Sequence, residues 1–403
     1  MMPWKNTCII SSRTHFALQA LRAAEPFVHL CPKYGISPKT GYKWLARYKT
    51  AGVSGMRDAS RRPCHLAHQI SAAWKQRTAQ ARRSRPYWGP KKLRALLRLQ
   101  HPRKHLPSER TIARWLQQLG LTRTSQRRAR PGPRLPLPGL TVPRRVHQIW
   151  TVDFKGSFRT ADGQLQQPLT IREGKSRYLL EIRLLPDQSD CQVRRTMTRV
   201  FRREGLPTAI RVDNGVPFGG GKGALGLSTI SVWWLRLGIR VEFTRQARPG
   251  DNAAHEQMHS RYKAEVLQPP AANRRAHQRR TDCWRKDYNQ RRPHEALGQK
   301  TPSQCYRRST RPMPVALPPM RYARGKPLRR VGVRGDIRWL GRPRYVGRAF
   351  RGQYVALHAS KAQYHEVRLG TLLIGQLHPK DLGGMRPVRW SRQPATPLKV
   401  LPM

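Results

Sequence analysis

The sequence WTVDFKG, at residues 150–156, places one acidic residue, Asp153, inside an apolar run that is typical of a buried β-strand. Two further acidic stretches follow it. IRVDNGVPF at residues 210–218 carries Asp213, and DNAAHEQMHSRYK at residues 251–263 carries Glu256. An unpaired carboxylate is costly to bury in a strand. In a chain with 80 Lys and Arg residues and only 21 Asp and Glu residues, acids at these positions indicate a functional site.

Strands and helices alternate through this part of the chain, and the pattern predicts an α/β domain with a mixed sheet over residues 146–306. Asp153 lies in the first predicted strand. Asp213 directly follows the fourth, at the strand end where α/β sheets tend to bind ligands. Glu256 lies on a predicted helix that can cross the same end. Because the three acids are far apart in sequence, only the tertiary fold can bring them together.

Three converging carboxylates would repel one another unless cations lay between them. Two Mg²⁺ ions, about 3.5–4 Å apart, would bind the attacking and leaving oxygens of an in-line phosphoryl transfer. We therefore predict that Asp153, Asp213 and Glu256 are the metal ligands and catalytic residues of a nuclease or strand transferase. Taken singly, Asp213 also fits an ordinary Asp-Asn-Gly turn, and Glu256 also fits a solvated helix position.

His259 and Lys263 lie on the same face of the predicted helix as Glu256, one and two turns further along. A metal-binding acid followed by basic residues is the arrangement by which a helix would lie along DNA next to the cut. We predict DNA contacts for His259 and Lys263. A mixed-charge surface stripe is the alternative.

The formal net charge is +59 and the isoelectric point is about 11.7, so the chain would repel itself unless a polyanion neutralised it. Nucleic acid is the partner that this charge favours, because neutralising phosphates releases counterions. A GC-rich genome explains part of the Arg excess. The six cysteines form no CxxC pair, which argues against a zinc site or a disulfide framework. No apolar run has bilayer length, so we expect a soluble, intracellular protein that does not bind membranes.

A helix-turn-helix domain is predicted over residues 10–60. Ser37 is the expected N-cap of its last helix, Pro38 the first helical residue and Gly52 the stop. This helix would enter the major groove of DNA; a plain three-helix bundle with a solvated basic face is the alternative. Pro32 lies inside the preceding helix and should kink or shorten it. The residues that the last helix would offer to DNA are Lys39, Thr40, Lys43 and Arg47.

The remaining segments complete a multidomain chain. Residues 68–124 have the pattern of a second helical or winged-helix DNA-binding domain, with helices opening at Pro90 and after Ser108. Residues 125–145 and 307–330 are rich in Pro and Arg, which is typical of linkers. Short strand-like runs predict a small antiparallel β-barrel over residues 331–380, and residues 381–403 have the composition of a disordered tail.

Several stretches resemble one known family. HQIWTVDFKG, PLTIREGKSRYLL, AIRVDNGVPF, LSTISVWWLRLGI, HEQMHSRYKAEV and YNQRRPHEALGQKTP are similar to the integrase-core transposases of bacterial insertion sequences, members of the DDE superfamily that includes retroviral integrases. The N-terminal MPWK and GISPKTGYKWLARY resemble the helix-turn-helix of the same group. The resemblance covers most of residues 2–306.

The resemblance implies a ribonuclease-H-like catalytic core, an SH3-like C-terminal barrel, and Mg²⁺ or Mn²⁺ as cofactor, with two ions per site. Asp153, Asp213 and Glu256 fall on the catalytic acids of the family, and Lys263 falls on its basic DNA-contacting position. Water would free a 3′-hydroxyl at the element end, and that hydroxyl would then attack target DNA. The implied partners are the terminal repeats, target DNA and further copies of the chain. The implied location is the bacterial cytoplasm, at the nucleoid.

Two positions depart from the pattern of the family. Ala253 stands where members often carry Gly before the glutamate helix, and the Arg172-Glu173-Gly174 turn replaces a usually acidic one. Together with Pro32, these departures leave open a catalytically inactive DNA-binding regulator derived from a transposase. A ribonuclease-H-like nuclease without strand transfer is a third alternative. The intact acids argue against the regulator, and the predicted DNA-binding modules argue against the plain nuclease.

Overall fold

The computed structural model describes residues 8–58, 71–122, 140–219, 223–245, 252–360 and 362–388. The chain divides into two compact units, with the boundary between Ser71 and Ala72. The first unit contains the predicted helix-turn-helix, and the second contains the α/β core.

Three helices and a 3₁₀ turn form the first unit. The helices are α1 (Ile9–Arg22), α2 (Phe27–Lys33) and α3 (Pro38–Ala51), and the 3₁₀ turn is Gly52–Met56. Ser37 caps α3 as predicted, because its Oγ accepts a hydrogen bond of 3.3 Å from the backbone N–H of Thr40. Gly52 ends α3 with a φ of +56°. Pro32 lies in the last turn of α2, which has only 7 residues, in line with the predicted shortening.

Three more helices open the second unit. They are α4 (Ala72–Ser84), α5 (Pro90–Gln100) and α6 (Glu109–Gln118). Ser108 caps α6 as predicted, with its Oγ 3.1 Å from the backbone nitrogen of Thr111. Arg85 attaches these helices to the α/β core through an ion pair of 2.6 Å with Asp287. Residues 123–139, which hold most of the predicted first linker, lie outside the described residues.

A mixed sheet forms the centre of the second unit, as the sequence predicts. Its strands are β1 (Ile149–Phe154), β2 (Phe158–Arg159), β3 (Leu165–Glu173), β4 (Leu179–Leu185), β5 (Ala209–Val212) and β6 (Arg240–Phe243). The order across the sheet is β4, β3, β1, β5, β6, and the short β2 pairs with β3. The first three of these strands are antiparallel, whereas β1, β5 and β6 run parallel. This mixed order agrees with the expected ribonuclease-H-like core.

Five helices accompany the sheet. They are α7 (Asp190–Glu204), α8 (Thr229–Arg236), α9 (Ala253–Tyr262), α10 (Arg274–Gln290) and α11 (Pro302–Cys305). A π-helical turn, Lys263–Leu267, extends α9. An apolar cluster joins Ile182 of β4, Met258 and Tyr262 of α9, and Tyr288 of α10, and so fixes α9 against the sheet. No helix in the described part of the chain is long and apolar enough to cross a membrane.

The C-terminal region consists of strands that do not form the expected closed barrel. The strands are β7 (Leu328–Arg330), β8 (Asp336–Trp339), β9 (Arg342–Tyr345), β10 (Tyr354–Ala359), β11 (His365–Leu369), β12 (Leu372–Leu377) and β13 (Arg386–Pro387). Among the described residues, β13, β12, β11, β10 and β7 form an open sheet in that order. β8 pairs with β9 in a hairpin, and the backbone oxygen of Tyr345 in β9 accepts a hydrogen bond of 2.9 Å from Met385 N–H, directly before β13. The two edge strands of this sheet, β13 and β7, are not paired with each other, so these residues do not form a closed barrel.

Two segments that the sequence assigns to linker and tail carry structure. In the 307–330 segment, Arg311 donates a hydrogen bond of 2.7 Å to the backbone oxygen of Pro207, and Leu206 N–H donates one of 2.7 Å back to the Arg311 oxygen. In the 381–403 segment, β13 pairs with β12, and Val388 accepts a hydrogen bond of 2.7 Å from Leu225 N–H. Both segments therefore pack on the second unit over their described residues.

Gly41→Ala should destabilise the first unit selectively. Gly41 lies on the face of α3 that packs on the core, and a Cβ built there would lie 2.8 Å from Cys31 Sγ and 2.9 Å from the ring of Phe16. Such overpacking costs about 1–3 kcal/mol. We expect hydrogen exchange of the amides in α1 and α3 to accelerate in the full-length variant, with no change in β1 and β5. Equal acceleration in both units, or none in α3, would contradict this packing role.

Candidate active site

Strand pairing brings the first two predicted acids to the same end of the sheet. β1 and β5 are parallel neighbours, with Ile149 opposite Ala209 and Thr151 opposite Arg211. Continuing this register by two residues brings Asp213, directly after β5, level with Asp153 near the end of β1. Asp153 is partly buried, with 26% of its side chain exposed, whereas Asp213 is exposed.

The third predicted acid approaches from α9. Glu256 lies in the first turn of this helix and is exposed. The structure raises the pKa of Asp153 to about 7, chiefly through burial, then through the negative charges of Asp213 and Glu256. The backbone N–H of Phe154 and the charge of Lys155 act in the opposite direction. Asp213 and Glu256 therefore lie near enough to Asp153 for their charges to act on it.

Two histidines lie beneath Asp153, on the inner face of α9. His255 is fully buried and His259 is 7% exposed. The Oγ of Thr170, on β3, lies 2.6 Å from Nε2 of His255 and 2.8 Å from Nε2 of His259. Nδ1 of His259 lies 3.8 Å from Oδ2 of Asp153. The ligand atoms of Asp153, His255 and His259 all lie within 4.8 Å of one another.

This arrangement corrects one prediction and adds one residue. His259 is buried against the sheet, so the structure places it beside Asp153 and away from the surface on which it was expected to contact DNA. Sequence reasoning did not single out His255. The available signal was the i, i+4 spacing of His255 and His259, which puts both rings on the helical face that also carries the apolar Met258 and Tyr262.

Both histidines are uncharged at neutral pH. Burial lowers the pKa of His259 to about 3, and the positive charges of Lys155 and Arg172 add to this effect. Burial also lowers the pKa of His255 well below its ordinary value, with further contributions from His259 and Arg172. The guanidinium of Arg172 is itself buried and donates a hydrogen bond of 3.1 Å to the backbone oxygen of Ala254, at the start of α9.

The predicted DNA-contacting residues of α3 form a basic stripe within the first unit. Lys39 and Lys43 are exposed, whereas Thr40 and Arg47 are partly buried. Lys43 and Arg47 lie 4.7 Å and 5.1 Å from the ring centroid of the buried Trp44. These contacts hold the stems of both side chains along the helix. On α9, Lys263 is exposed at the start of the π-helical turn, as its predicted role requires.

The electrostatic surroundings of Asp153 fit a divalent cation. Burial and the negative charges of Asp213 and Glu256 disfavour the ionised form of Asp153. A bound cation would favour that form. Among the described residues, no Lys or Arg forms an ion pair with Asp153, Asp213 or Glu256. Carboxylate oxygens are the ligands that Mg²⁺ and Mn²⁺ prefer, and both cations tolerate the exposed, water-accessible setting of Asp213 and Glu256.

Asp153→Asn should stabilise the protein at alkaline pH when divalent cations are absent. With its pKa raised to about 7, the carboxyl group contributes stability that is fully present below about pH 4 and is lost as the pH rises through 7. At pH 8 we expect the free energy of unfolding of the variant to exceed that of the wild type by about 2 kcal/mol. This is less than the full pKa shift would give, because part of the Asp153 side chain remains in solvent.

Urea unfolding in EDTA at pH 4.5 and pH 8 measures this difference. Wild type and Asp153→Asn should unfold at similar urea concentrations at pH 4.5 and separate at pH 8. Adding Mg²⁺ or Mn²⁺ at pH 8 should stabilise the wild type more than the variant. A difference that is the same at both pH values would show that the substitution acts through packing and not through charge.

Three family models match parts of the chain. A helix-turn-helix domain matches residues 16–63, a homeodomain-like domain matches residues 40–116, and an integrase core domain matches residues 237–302. The integrase-core match contains the whole of α9 and therefore Glu256 and His259. The two other matches fall on helices that the sequence assigns to DNA binding.

One curated relative is the insertion element IS407 uncharacterized 31.7 kDa protein of Burkholderia multivorans. It is 26% identical over 212 residues, which span 52% of this chain and 73% of the relative. The magnesium complex of the HTLV-2 integrase catalytic core aligns with 41% of this chain and 99% of its own, at 13% identity and a TM-score of 0.30. The intasome of simian T-cell lymphotropic virus aligns with 77% of this chain and 98% of its own, at 13% identity and a TM-score of 0.35. The chain therefore carries helix-turn-helix domains and an integrase core domain, and it is similar to a protein of a bacterial insertion element.

Proposed function

We propose that the protein is a DNA transposase that binds the ends of its insertion sequence, hydrolyses a phosphodiester bond there and joins the freed 3′-hydroxyl to target DNA. The observation that supports this proposal is the parallel pairing of β1 with β5, which brings Asp153 and Asp213 to one end of the sheet; there the charges of Asp213 and Glu256 add to burial in raising the pKa of Asp153. Few arrangements other than a cation site give three carboxylates a reason to meet in a protein with a net charge of +59.

Asp153, Asp213 and Glu256 would hold two Mg²⁺ or Mn²⁺ ions. When bound, such ions supply Lewis-acid stabilisation to the attacking and leaving oxygens of a phosphoryl transfer. The protein holds the three acids in position. Asp153 is fixed by the strand pairing of β1 and by burial, Asp213 ends the neighbouring parallel strand, and Glu256 lies in the first turn of α9, which packs on the sheet. The rigid elements that carry the acids preorganise the site before DNA arrives.

Residues of α3 and α9 would bind the DNA. Lys39, Thr40, Lys43 and Arg47 on α3 would contact the element end, and Lys263 would contact the backbone close to the acids. Strand transfer between two element ends needs two catalytic sites, so we propose that the protein works as a homo-oligomer assembled on DNA. A DNA-bound protein of this kind acts at the bacterial nucleoid.

The strand-transfer assay tests the proposal directly. Full-length protein is incubated with labelled duplexes that carry the ends of the encoding element, a supercoiled target and either Mg²⁺ or Mn²⁺. We expect a 3′-cleaved end and its joined product. Asp213→Asn should lower both by at least about a thousandfold, because removing a carboxylate ligand takes several kcal/mol from the transition state.

Asp381→Asn is the matched control. Asp381 is also a surface aspartate, but it pairs with Arg386 in the C-terminal sheet, so this variant should keep wild-type activity. Cleavage without joining would favour a nuclease. Tight, salt-sensitive binding with no cleavage in either metal would favour a catalytically inactive DNA-binding regulator.

The double variant Lys39→Ala, Lys43→Ala should weaken binding to the element ends and make it less dependent on salt. Each phosphate contact contributes about 0.9 to the slope of log affinity against log salt concentration, so the slope should fall by about 2. Fluorescence anisotropy over a range of KCl concentrations measures it. Lys49→Ala, on another face of α3, is the control, and an equal loss there would assign the effect to net charge alone.

A further inference from the structure

The hydroxyl group of Thr170 makes three hydrogen bonds that use its full capacity. Its Oγ lies 2.8 Å from the backbone oxygen of Asp153, 2.6 Å from Nε2 of His255 and 2.8 Å from Nε2 of His259. A hydroxyl group has one hydrogen and two lone pairs. The backbone oxygen can only accept, so the hydrogen goes to Asp153, and both histidine Nε2 atoms must donate to the two lone pairs.

This assignment fixes the tautomer of both rings. A neutral imidazole carries one N–H, so Nδ1 of each histidine must carry a lone pair. Nδ1 of His255 lies 2.7 Å from the Oγ of Thr151 and accepts its hydrogen, because the other acceptor of that hydroxyl, the backbone oxygen of Arg172, is 3.4 Å away and at the limit of a hydrogen bond. Nδ1 of His259 instead faces Oδ2 of Asp153 at 3.8 Å. Among the described residues, no N–H or O–H group donates a hydrogen bond to Nδ1 of His259.

Nδ1 of His259 and Oδ2 of Asp153 each present a lone pair to the other, and at 3.8 Å they are too far apart to share a hydrogen bond. A cation between them satisfies both. Two ligands that each lie about 2.1 Å from one ion are separated by about 3–4 Å, and the distance between Nδ1 of His259 and Oδ2 of Asp153 falls in that range. The ring of His259 is 7% exposed and held by Thr170, so Nδ1 already points at this position.

We infer that His259 is a direct ligand, through Nδ1, of the divalent cation that Asp153 binds. The metal centre then has a nitrogen ligand beside its carboxylates. This inference rests on the proposed function in that it requires a cation at Asp153. His255 is not a ligand, because Thr151 and Thr170 occupy both of its ring nitrogens; it is a positioning residue that fills the space behind His259.

A nitrogen ligand changes which metal the site prefers. Mg²⁺ binds oxygen ligands almost exclusively, whereas Mn²⁺ and later first-row ions accept imidazole. We therefore expect the wild-type protein to bind Mn²⁺ more tightly than Mg²⁺. His259→Asn should weaken Mn²⁺ binding by at least about tenfold and should change Mg²⁺ binding less.

Pulsed electron paramagnetic resonance of the full-length protein loaded with Mn²⁺ tests the ligand directly. Imidazole nitrogen bound to Mn²⁺ modulates the electron spin echo. We expect this ¹⁴N modulation in the wild type, its loss in His259→Asn and its retention in His255→Gln. Titration with Mn²⁺ and Mg²⁺ gives the affinities, and thermal unfolding shows that each variant is folded.

The outcomes separate this inference from the proposed function. Mn²⁺ that binds the wild type without ¹⁴N modulation would overturn the His259 ligand and leave the carboxylate site intact. Modulation that persists in folded His259→Asn would overturn it as well. Failure of the folded wild type to bind Mn²⁺ or Mg²⁺ at millimolar concentration would overturn both proposals. If His259→Asn does not fold, the wild-type spectrum and His255→Gln still decide the question.

Discussion

Repulsion between carboxylates at one end of a mixed sheet is the constraint on which the site depends. The parallel pairing of β1 with β5 places Asp153 and Asp213 level with each other at the same end of the sheet, whichever rotamers their side chains adopt. Burial, and then the charge of the neighbouring Asp213, raise the pKa of Asp153, and the raised pKa costs stability at neutral pH. A cation at these carboxylates, as proposed above, would offset that cost.

The other described acids of the core show what this protein does with a carboxylate that has only a structural role. Glu242 is buried and paired with Arg211 at 3.0 Å. Glu181 pairs with Arg203 at 3.2 Å, and Glu265 pairs with Arg292. In a chain so rich in arginine, a partner is available almost everywhere. Within the described residues, Asp153, Asp213 and Glu256 have no such partner.

Short sequence patterns predicted the helices and strands that carry the site. The features that the sequence did not predict depend on contacts between residues far apart in the chain. The cap at Ser37, the apolar run around Asp153 and the turn at Asp213 are local, and the corresponding elements formed where expected. The helix α10 was not predicted, because its sequence RRAHQRRTDCWRKDYNQ has almost no apolar stripe and only a few of its side chains reach the core. Whether the C-terminal sheet closes depends on which of its edge strands pair with each other. Strand-like sequence patterns alone do not specify that pairing.

The departures from the family pattern are conformationally neutral, which bears on whether the chain is a decayed copy. Ala253 is the first residue of α9 and follows Asn252, so it adopts ordinary helical geometry and does not need the freedom of Gly. Glu173 is fully buried, and its carboxylate accepts hydrogen bonds from the backbone N–H groups of His147, Lys175 and Ser176. It therefore stabilises the turn after β3. Neither departure therefore strains the backbone, so neither is evidence that the chain is a decayed copy.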